Sequence, residues 1–356
     1  MNYDTLIAAN TSKGFFSYFD ELLSHSDLSS VYLIKGGPGC GKSTFMKNIA
    51  NHCKVKSLNT ELIHCSSDQS SLDAIRICDN GIVVMDATSP HAFDLKYPGV
   101  RDKIIDLTQF WNEKELIKHK SSIVSISNSI SEKYKCVYSI LKSAGILYSS
   151  LVEKATQNND SFEITQLVKK LIKQNGIMPT QCDTTVYNRF LNGISSTGTS
   201  GFVETIDKLC DEIILIEDGY SLAGVFLSKF LNYFKKTGYE ILVFHNPLCP
   251  DIKIEHIIVP QLRFGIITSS SLFEPVINEN KIIKKIFTRN FIDKDYVNQN
   301  KNKILFRKKM IKQLIDRSVI ELDVIKGLHD ELEQYYINAM DFDKLNEFTN
   351  IFINTI

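Results

Sequence analysis

Val31-Tyr32-Leu33-Ile34-Lys35 runs directly into Gly36-Gly37-Pro38-Gly39-Cys40-Gly41-Lys42-Ser43-Thr44, and Phe45, Met46, Ile49 and Ala50 then recur at helical spacing. A short β-rich apolar run, a glycine loop and an amphipathic helix follow one another in the order that G-x-x-x-x-G-K-[ST] requires. The glycines let successive backbone N–H groups turn inward, and the helix that follows adds the positive end of its dipole, so phosphate oxygens meet donors and a favourable field. Gly36, Gly37, Pro38, Gly39, Cys40, Gly41, Lys42, Ser43 and Thr44 are therefore the candidate nucleotide-binding residues. Lys42 is expected to reach the β- and γ-phosphates and the Ser43 hydroxyl to ligate Mg²⁺. Cys40 sits at a variable loop position whose side chain should point away from phosphate.

An acid completes such a site. Gly81-Ile82-Val83-Val84-Met85-Asp86 is an apolar strand ending in a carboxylate, about forty residues after Lys42 with one strand, Glu61 to His64, between them. An Asp there sits beside the phosphate loop and holds Mg²⁺ through its water shell. Residue 87 is Ala, so no Glu directly follows to serve as a base for attacking water.

The same pattern of strands returns in the second half. Val31 to Gly37 lines up with Ile213 to Gly219, a shift of 182 positions, from 31 to 213. Carried forward unchanged, that shift sets Leu72-Asp73-Ala74-Ile75 against Ile254-Glu255-His256-Ile257 and Val83 to Asp86 against Gly265 to Thr268. Upstream, Thr11 to Phe15 resembles Gly198 to Phe202, and downstream Ile140-Leu141-Lys142 resembles Val324-Ile325-Lys326. This predicts a tandem duplication. The second copy lacks the chemistry: Lys42 corresponds to Gly224, Ser43 to Val225, Gly41 to Ala223 and Asp86 to Thr268, so one nucleotide site per chain is expected.

The 356 residues suit two domains of ordinary size, and a 43% hydrophobic content supports real cores. We divide the chain into a nucleotide-binding domain, 1–180, with a helical segment at 101–175, and a degenerate copy, 181–356, with a helical segment at 281–356. Equal totals of 41 Lys+Arg and 41 Asp+Glu give no electrostatic reason to expect a nucleic-acid or anionic-membrane partner. Apolar runs such as Ile213 to Ile216 fall far short of a membrane span. Met1 to Asn10, with its early Asp4, does not read as a signal peptide, so a cytoplasmic location is expected. The 8 cysteines are scattered without a C-x-x-C pair, which speaks against a zinc ribbon.

From Trp111 to about Thr156, Ile123, Ile130, Val137, Ala144 and Leu151 recur every seventh residue, with Tyr134, Leu141 and Tyr148 interleaved. Asn302 to Met340 is a comparable stretch. Both read as helical hairpins packed on each other or on the α/β cores.

His64-Cys65-Ser66-Ser67-Asp68 follows a strand and should open on the same edge as the phosphate loop. Asp68, or Asp73, can orient a water or a substrate hydroxyl there, or simply cap the loop. Thr88, Ser89 and His91 are candidate γ-phosphate sensors. Arginine is scarce, with only Arg76 and Arg101 in the first 180 residues. That disfavours nucleoside monophosphate kinases, which need several positive charges around the transferred group. Arg101 is the better finger candidate in the first half, and Arg263 can act across the repeat interface.

Together these residues resemble a bacterial family of duplicated P-loop ATPases within the P-loop NTPase superfamily. The likeness rests on GGPGCGKST at Gly36 to Thr44, HCSSDQSSLD at His64 to Asp73 and MDATSPHAFDLKYPG at Met85 to Gly99. HDELEQYY at His329 to Tyr336 and MDF at Met340 to Phe342 extend it over nearly the whole chain. In that family the second copy can carry its own glycine loop, and this chain departs from the pattern at Asp218 to Phe226. The resemblance implies nucleotide binding without fixing a substrate.

The expected fold is α/β, two tandem P-loop NTPase-like three-layer units, the second degenerate, each with an added helical hairpin. The expected function is ATP binding with Mg²⁺-dependent hydrolysis coupled to movement of the two repeats. A small-molecule or nucleotide kinase using Asp68 as base, and a slow nucleotide switch for a protein partner, are the alternatives. No N-K-x-D guanine signature is present, which favours ATP over GTP.

Overall fold

The computed structural model describes residues 2–89, 92–179 and 182–356. The first half runs β1 (Asn2–Leu6), β2 (Ala8–Thr11), β3 (Gly14–Ser17), α1 (Phe19–Ser24), β4 (Ser30–Lys35), α2 (Lys42–Val55), β5 (Thr60–His64), β6 (Leu72–Ile77), β7 (Ile82–Asp86) and β8 (Asp102–Asp106). Three helices follow, α3 (Glu113–Lys118), α4 (Lys120–Gln157) and α5 (Ser161–Gln174). The second half runs β9 (Thr185–Arg189), β10 (Asn192–Ser195), β11 (Gly198–Gly201), α6 (Glu204–Leu209), β12 (Glu212–Glu217), α7 (Ala223–Phe234), β13 (Glu240–His245), β14 (Ile254–Val259), β15 (Phe264–Ser269) and β16 (Ile282–Phe287), and ends in α8 (Lys294–Ala339) and α9 (Phe342–Ile353).

The fold is α/β with two mixed sheets of six strands each. The first has the order β1-β5-β6-β7-β4-β8 and the second β9-β13-β14-β15-β12-β16. In both, the middle three strands are antiparallel neighbours and the rest pair in parallel. The registers agree as well: Ser30 faces Ile82 and Glu212 faces Phe264, each pair displaced by the 182 positions that the sequence carries. Two strands, β5 and β6, separate α2 from β7, where the sequence suggested one.

Period-two alternation assigns each strand's side chains to two cores. Val31, Leu33, Ile63, Val83 and Met85 of the first sheet join Ile213, Leu242, Phe244, Ile258 and Ile267 of the second in one core between the sheets. The opposite faces are covered by helices. Ile34 and Val84 pack with Phe45, Met46 and Ile49 of α2 and with Leu345 and Phe352 of α9. Ile214 and Val243 pack with Phe226 and Phe230 of α7 and with Ile164 and Val168 of α5.

This packing departs from the expected boundaries in two respects. The helical segment 101–175 ends in α5, whose apolar face lies on the second sheet's helix α7. The segment 281–356 ends in α9, which lies on α2 of the first. The two halves therefore exchange their terminal helices, and the junction at residues 180 and 181 lies outside the described residues. Nor does each half carry its own helical hairpin. Instead α4 and α8 pair with each other, Val137, Leu141, Ala144, Tyr148 and Leu151 meeting Ile304, Ile311, Ile315, Leu322 and Ile325. They run antiparallel, since the His119 ring meets that of Tyr335, tilted by 48°, at one end while Asp293 N donates to Asn158 O, 2.9 Å, at the other. The heptad-like seam read from Val137 to Leu151 is thus a seam with a partner more than a hundred and fifty residues away.

A hydrogen-bonded pair of hairpins refines the upstream alignment. Thr11 pairs with Gly14 across one turn and Ser195 with Gly198 across the other, and both glycines have positive φ, +94° and +109°. Gly14 therefore corresponds to Gly198, three positions from the alignment that set it against Gly201. A bidentate pair ties the sheets together inside the molecule: Arg189 Nε and Nη2 donate to Glu61 at 2.6 and 3.0 Å, with both side chains fully buried. Among the described residues no helix is long and apolar enough to cross a membrane.

Candidate phosphate-binding site

β4 lies between β7 and β8, so the chain leaving Lys35 emerges at the carboxyl edge with Asp86 on one side and Leu107 on the other. Ala87 N donates to Ile34 O and Leu107 N to Lys35 O, both at 2.9 Å. The six residues Gly36 to Gly41 then turn into α2. Gly39 and Gly41 adopt φ of +68° and +86°, conformations that cost an ordinary residue about 1 kcal/mol or more. Gly41 is the N-cap of α2, with Phe45 N donating to its carbonyl at 2.9 Å.

Lys42 Nζ donates to Gly36 O at 3.1 Å and Gly37 O at 2.7 Å and lies 3.4 Å from Asp86 Oδ2. Its side chain is 13% exposed, that of Asp86 15%, so the pair borders solvent without being free in it. Thr88 N and Oγ1 both donate to Asp86 Oδ1, which fixes the carboxylate. Ser43 Oγ accepts from Leu72 N at 3.0 Å, binding the first turn of α2 to β6. Ser43 and Asp86 are hard oxygen donors at one loop, a donor set that suits Mg²⁺. Cys40 turns inward as expected: its sulfur lies under Gly36 in the α2 core, and burial pushes its thiol pKa up.

The loop is backed by elements from the other end of the chain. A Cβ on Gly37 would lie 2.7 Å from the Tyr336 ring, one on Gly39 2.9 Å from the Glu333 carbonyl oxygen, and one on Gly41 2.9 Å from Leu345. Tyr336 in turn meets the Trp111 ring, centroids 5.7 Å apart. HDELEQYY and MDF thus abut the phosphate loop, a relation that chain order conceals.

Asp68 stands on the same edge. Its Oδ1 accepts from Ser70 N at 3.0 Å and Ser70 Oγ at 2.7 Å, and Lys326 Nζ lies 4.0 Å from Oδ2. Partial burial raises its pKa, but the Ser70 hydrogen bonds and the nearby Lys326 and Lys47 outweigh that and hold it below the usual carboxylate range. A carboxylate so held is a weak general base. Ser67 Oγ is 3.0 Å from Tyr134 Oη of α4, so both long helices touch this edge. Asp73 is buried in β6. Thr88 is occupied with Asp86, Ser89 is exposed, and His91 lies outside the described residues.

Both arginine candidates fail on position. Arg101 precedes β8 and pairs across from Val31, at the amino edge of the parallel strands, the length of β4 away from the loop. There its Nε donates to Asp102 Oδ1 at 2.6 Å and its Nη1 to Leu23 O at 2.8 Å. Arg263 lies at the matching edge of the second sheet, held by Asp211. Neither faces the phosphate loop. His329, Asp330 and Glu333 bring ligand atoms within 4.8 Å of one another on α8, but His329 and Asp330 are exposed, and an exposed acidic trio is not in itself a metal site.

The corresponding edge of the second sheet is filled. Between β12 and α7 run five residues, Asp218 to Leu222, one fewer than between β4 and α2. The buried positions Phe45, Met46, Ile49 and Cys53 of α2 match Phe226, Leu227, Phe230 and Phe234 of α7 at a shift of 181. Lys42 therefore corresponds to Ala223, Ser43 to Gly224 and Gly41 to Leu222, one position from the sequence alignment and equally without phosphate chemistry. The Asp218 carboxylate accepts from Leu222 N at 2.8 Å and Ala223 N at 3.2 Å, and Lys253 Nζ lies 3.2 Å from it. Lys253 also donates to Tyr148 Oη of α4 at 2.5 Å and stands 3.3 Å from Glu255. Burial opposes its charge, but Glu255, Tyr148 and Asp218 outweigh it and keep the ammonium protonated. Thr268, which pairs with Ile216 as Asp86 pairs with Ile34, is buried, and its N–H donates to His256 Nδ1 at 3.1 Å.

No curated protein and no solved structure matches the chain. Residues 15–95, from the first hairpin through β7 and the phosphate loop, match the family model described as Nephrocystin 3, N-terminal.

Proposed function

We propose that this chain is an ATP-binding P-loop NTPase built from two tandem P-loop units, the second degenerate, of the kind its motifs resemble. Lys42 binds the β- and γ-phosphates, and Ser43 and Asp86 hold Mg²⁺. The observation that carries the reading is the convergence of three elements on one edge: the Gly36–Gly41 loop with its two positive-φ glycines, the Lys42 ammonium, and Asp86 3.4 Å from it at the end of the neighbouring strand. The equal strand orders of the two sheets support the duplication.

Hydrolysis coupled to movement of the repeats is the leading activity. A slow nucleotide switch is the second reading, favoured by Ala87, which is 1% exposed beside Asp86 and offers no base. A kinase is less well supported, because Asp68 is bound by Ser70 and held at low pKa. The test is ATP·Mg²⁺ binding and phosphate release by wild type and Lys42→Ala, with and without a metabolite pool. Acceptor-independent release lost in the variant supports an ATPase, release only with a metabolite supports a kinase, and tight binding with negligible turnover supports the switch. A wild type that binds no ATP in the presence of Mg²⁺ ends the proposal.

A further inference from the structure

We infer that Asp218 is a built-in anion that permanently occupies the phosphate position of the second half, so that this half carries its own ligand as a side chain and is closed to nucleotide. The inference rests on reading the second half as a copy of the phosphate-loop unit.

Three observations meet at this residue. Asp218 is the first residue after β12, as Gly36 is after β4, and its carboxylate accepts from two amides, Leu222 N and Ala223 N, at the start of the twelve-residue helix α7. Those donors and the helix dipole are what a bound phosphate would engage. The charge is then neutralised from an unexpected direction. Ala223 has taken the place of the loop lysine, and the cation comes instead from Lys253, immediately before β14, whose side chain is 1% exposed and 3.2 Å from Asp218. Finally, both long helices reach the site, in which the Asp218 side chain is fully buried: Tyr148 of α4 accepts from Lys253, and Lys308 of α8 donates to the exposed Gly219 O at 2.5 Å. An anion that enters and leaves needs an open path, and here the anion is covalently part of the chain, with its counter-ion buried.

The consequence is a latent anion site. Removing the carboxylate leaves the α7 amides and Lys253, still 3.3 Å from Glu255, facing a small cavity, and an external anion can replace it. The experiment uses the full chain carrying Lys42→Ala, which silences the first loop, with and without Asp218→Gly. Thermal melts are recorded against inorganic phosphate, with chloride at equal ionic strength as control. Asp218→Gly is expected to lower the melting temperature and to regain roughly 3 °C at a phosphate concentration ten times its dissociation constant, whereas the parent gains nothing beyond the chloride control. Asp218→Asn keeps the shape and fills the cavity, so it is expected to be destabilised and to be unresponsive to phosphate. Equal phosphate responses of the Asp218→Gly variant and its parent, or an Asp218→Asn protein as stable as the parent, would overturn the inference. The outcome is independent of the nucleotide reading, since wild-type ATP binding is measured separately and fails or holds through Lys42 alone.

Discussion

Lys42 and Lys253 stand at the carboxyl edges of two sheets with the same strand order, and they differ in what surrounds them. Lys42 is held by two loop carbonyls and one carboxylate with 13% of its side chain exposed, while Lys253 is held by two carboxylates and a phenol with 1% exposed. The first arrangement leaves the lysine at the border of solvent, beside a single carboxylate. The second has its ammonium already paired inside the protein with two carboxylates.

The comparison is broken most severely by exchanging the roles of the two lysines. On the proposed function, Lys42→Ala should lower phosphate release about 100-fold or more, since it deletes the cation assigned to the transferred group, while leaving the melting temperature near wild type. Lys253→Ala should do the reverse, destabilising the fold by about 3–5 kcal/mol in denaturant melts because Asp218 and Glu255 are left buried without a counter-ion. A Lys253→Ala protein within about 1 kcal/mol of wild type would mean that the two edges are more alike than their burial suggests.

Acid should likewise act on the second half. Burial holds His256 down to about 3 and His245 down to about 4. Both rings stay neutral in the fold while the unfolded chain takes up protons below about pH 6.5, so their contribution is complete above that pH. It is lost as the pH falls toward the folded values, at up to about 1.4 kcal/mol per unit for each ring. Melts between about pH 7.5 and 4.5 should show a shallower decline for His256→Gln than for wild type, and parallel curves would count against the burial argument.

The smallest effects compare backbone strain at the two loops. Gly39→Ala meets both a positive φ and the Glu333 carbonyl, so a cost of about 1–3 kcal/mol and weakened ATP binding are expected. Ser221 carries a φ of +61° without being glycine, and Ser221→Gly should change stability by less than about 1 kcal/mol, in the favourable direction, with no effect on ATP binding. Calorimetric melts and nucleotide titrations of the two variants decide whether only the first loop couples its backbone to a ligand.

The contents of the site were legible because they are local. Glycine spacing, the strand before and the helix after fix the loop in any fold that forms them, and Cys40 points inward for the same reason. Arg101 was misjudged although the sequence held the signal: it precedes its strand, and in a parallel sheet a residue before a strand lies at the edge opposite a loop that follows one. The exchange of α5 and α9 left no such mark. The apolar face of α5, Ile164, Val168, Leu171 and Ile172, says that something covers it and nothing about what. Likewise the loss of one loop residue before α7 is visible only when buried positions, rather than letters, are aligned.

The exchanged helices also bear on how the chain is made. The last helix, α9, covers Phe45 and the neighbouring apolar face of α2. A ribosome delivers that cover only once residues 342–353 have been made, long after α2. Until then α2 covers the sheet but its own outer apolar face lacks α9, however early the strands have paired, and an amino-terminal fragment stopping at residue 180 would present that face permanently to solvent. The nascent protein therefore has a vulnerable interval that runs from the synthesis of α2 to that of α9, and the arrival of α9, rather than completion of the first half, is the event that closes it.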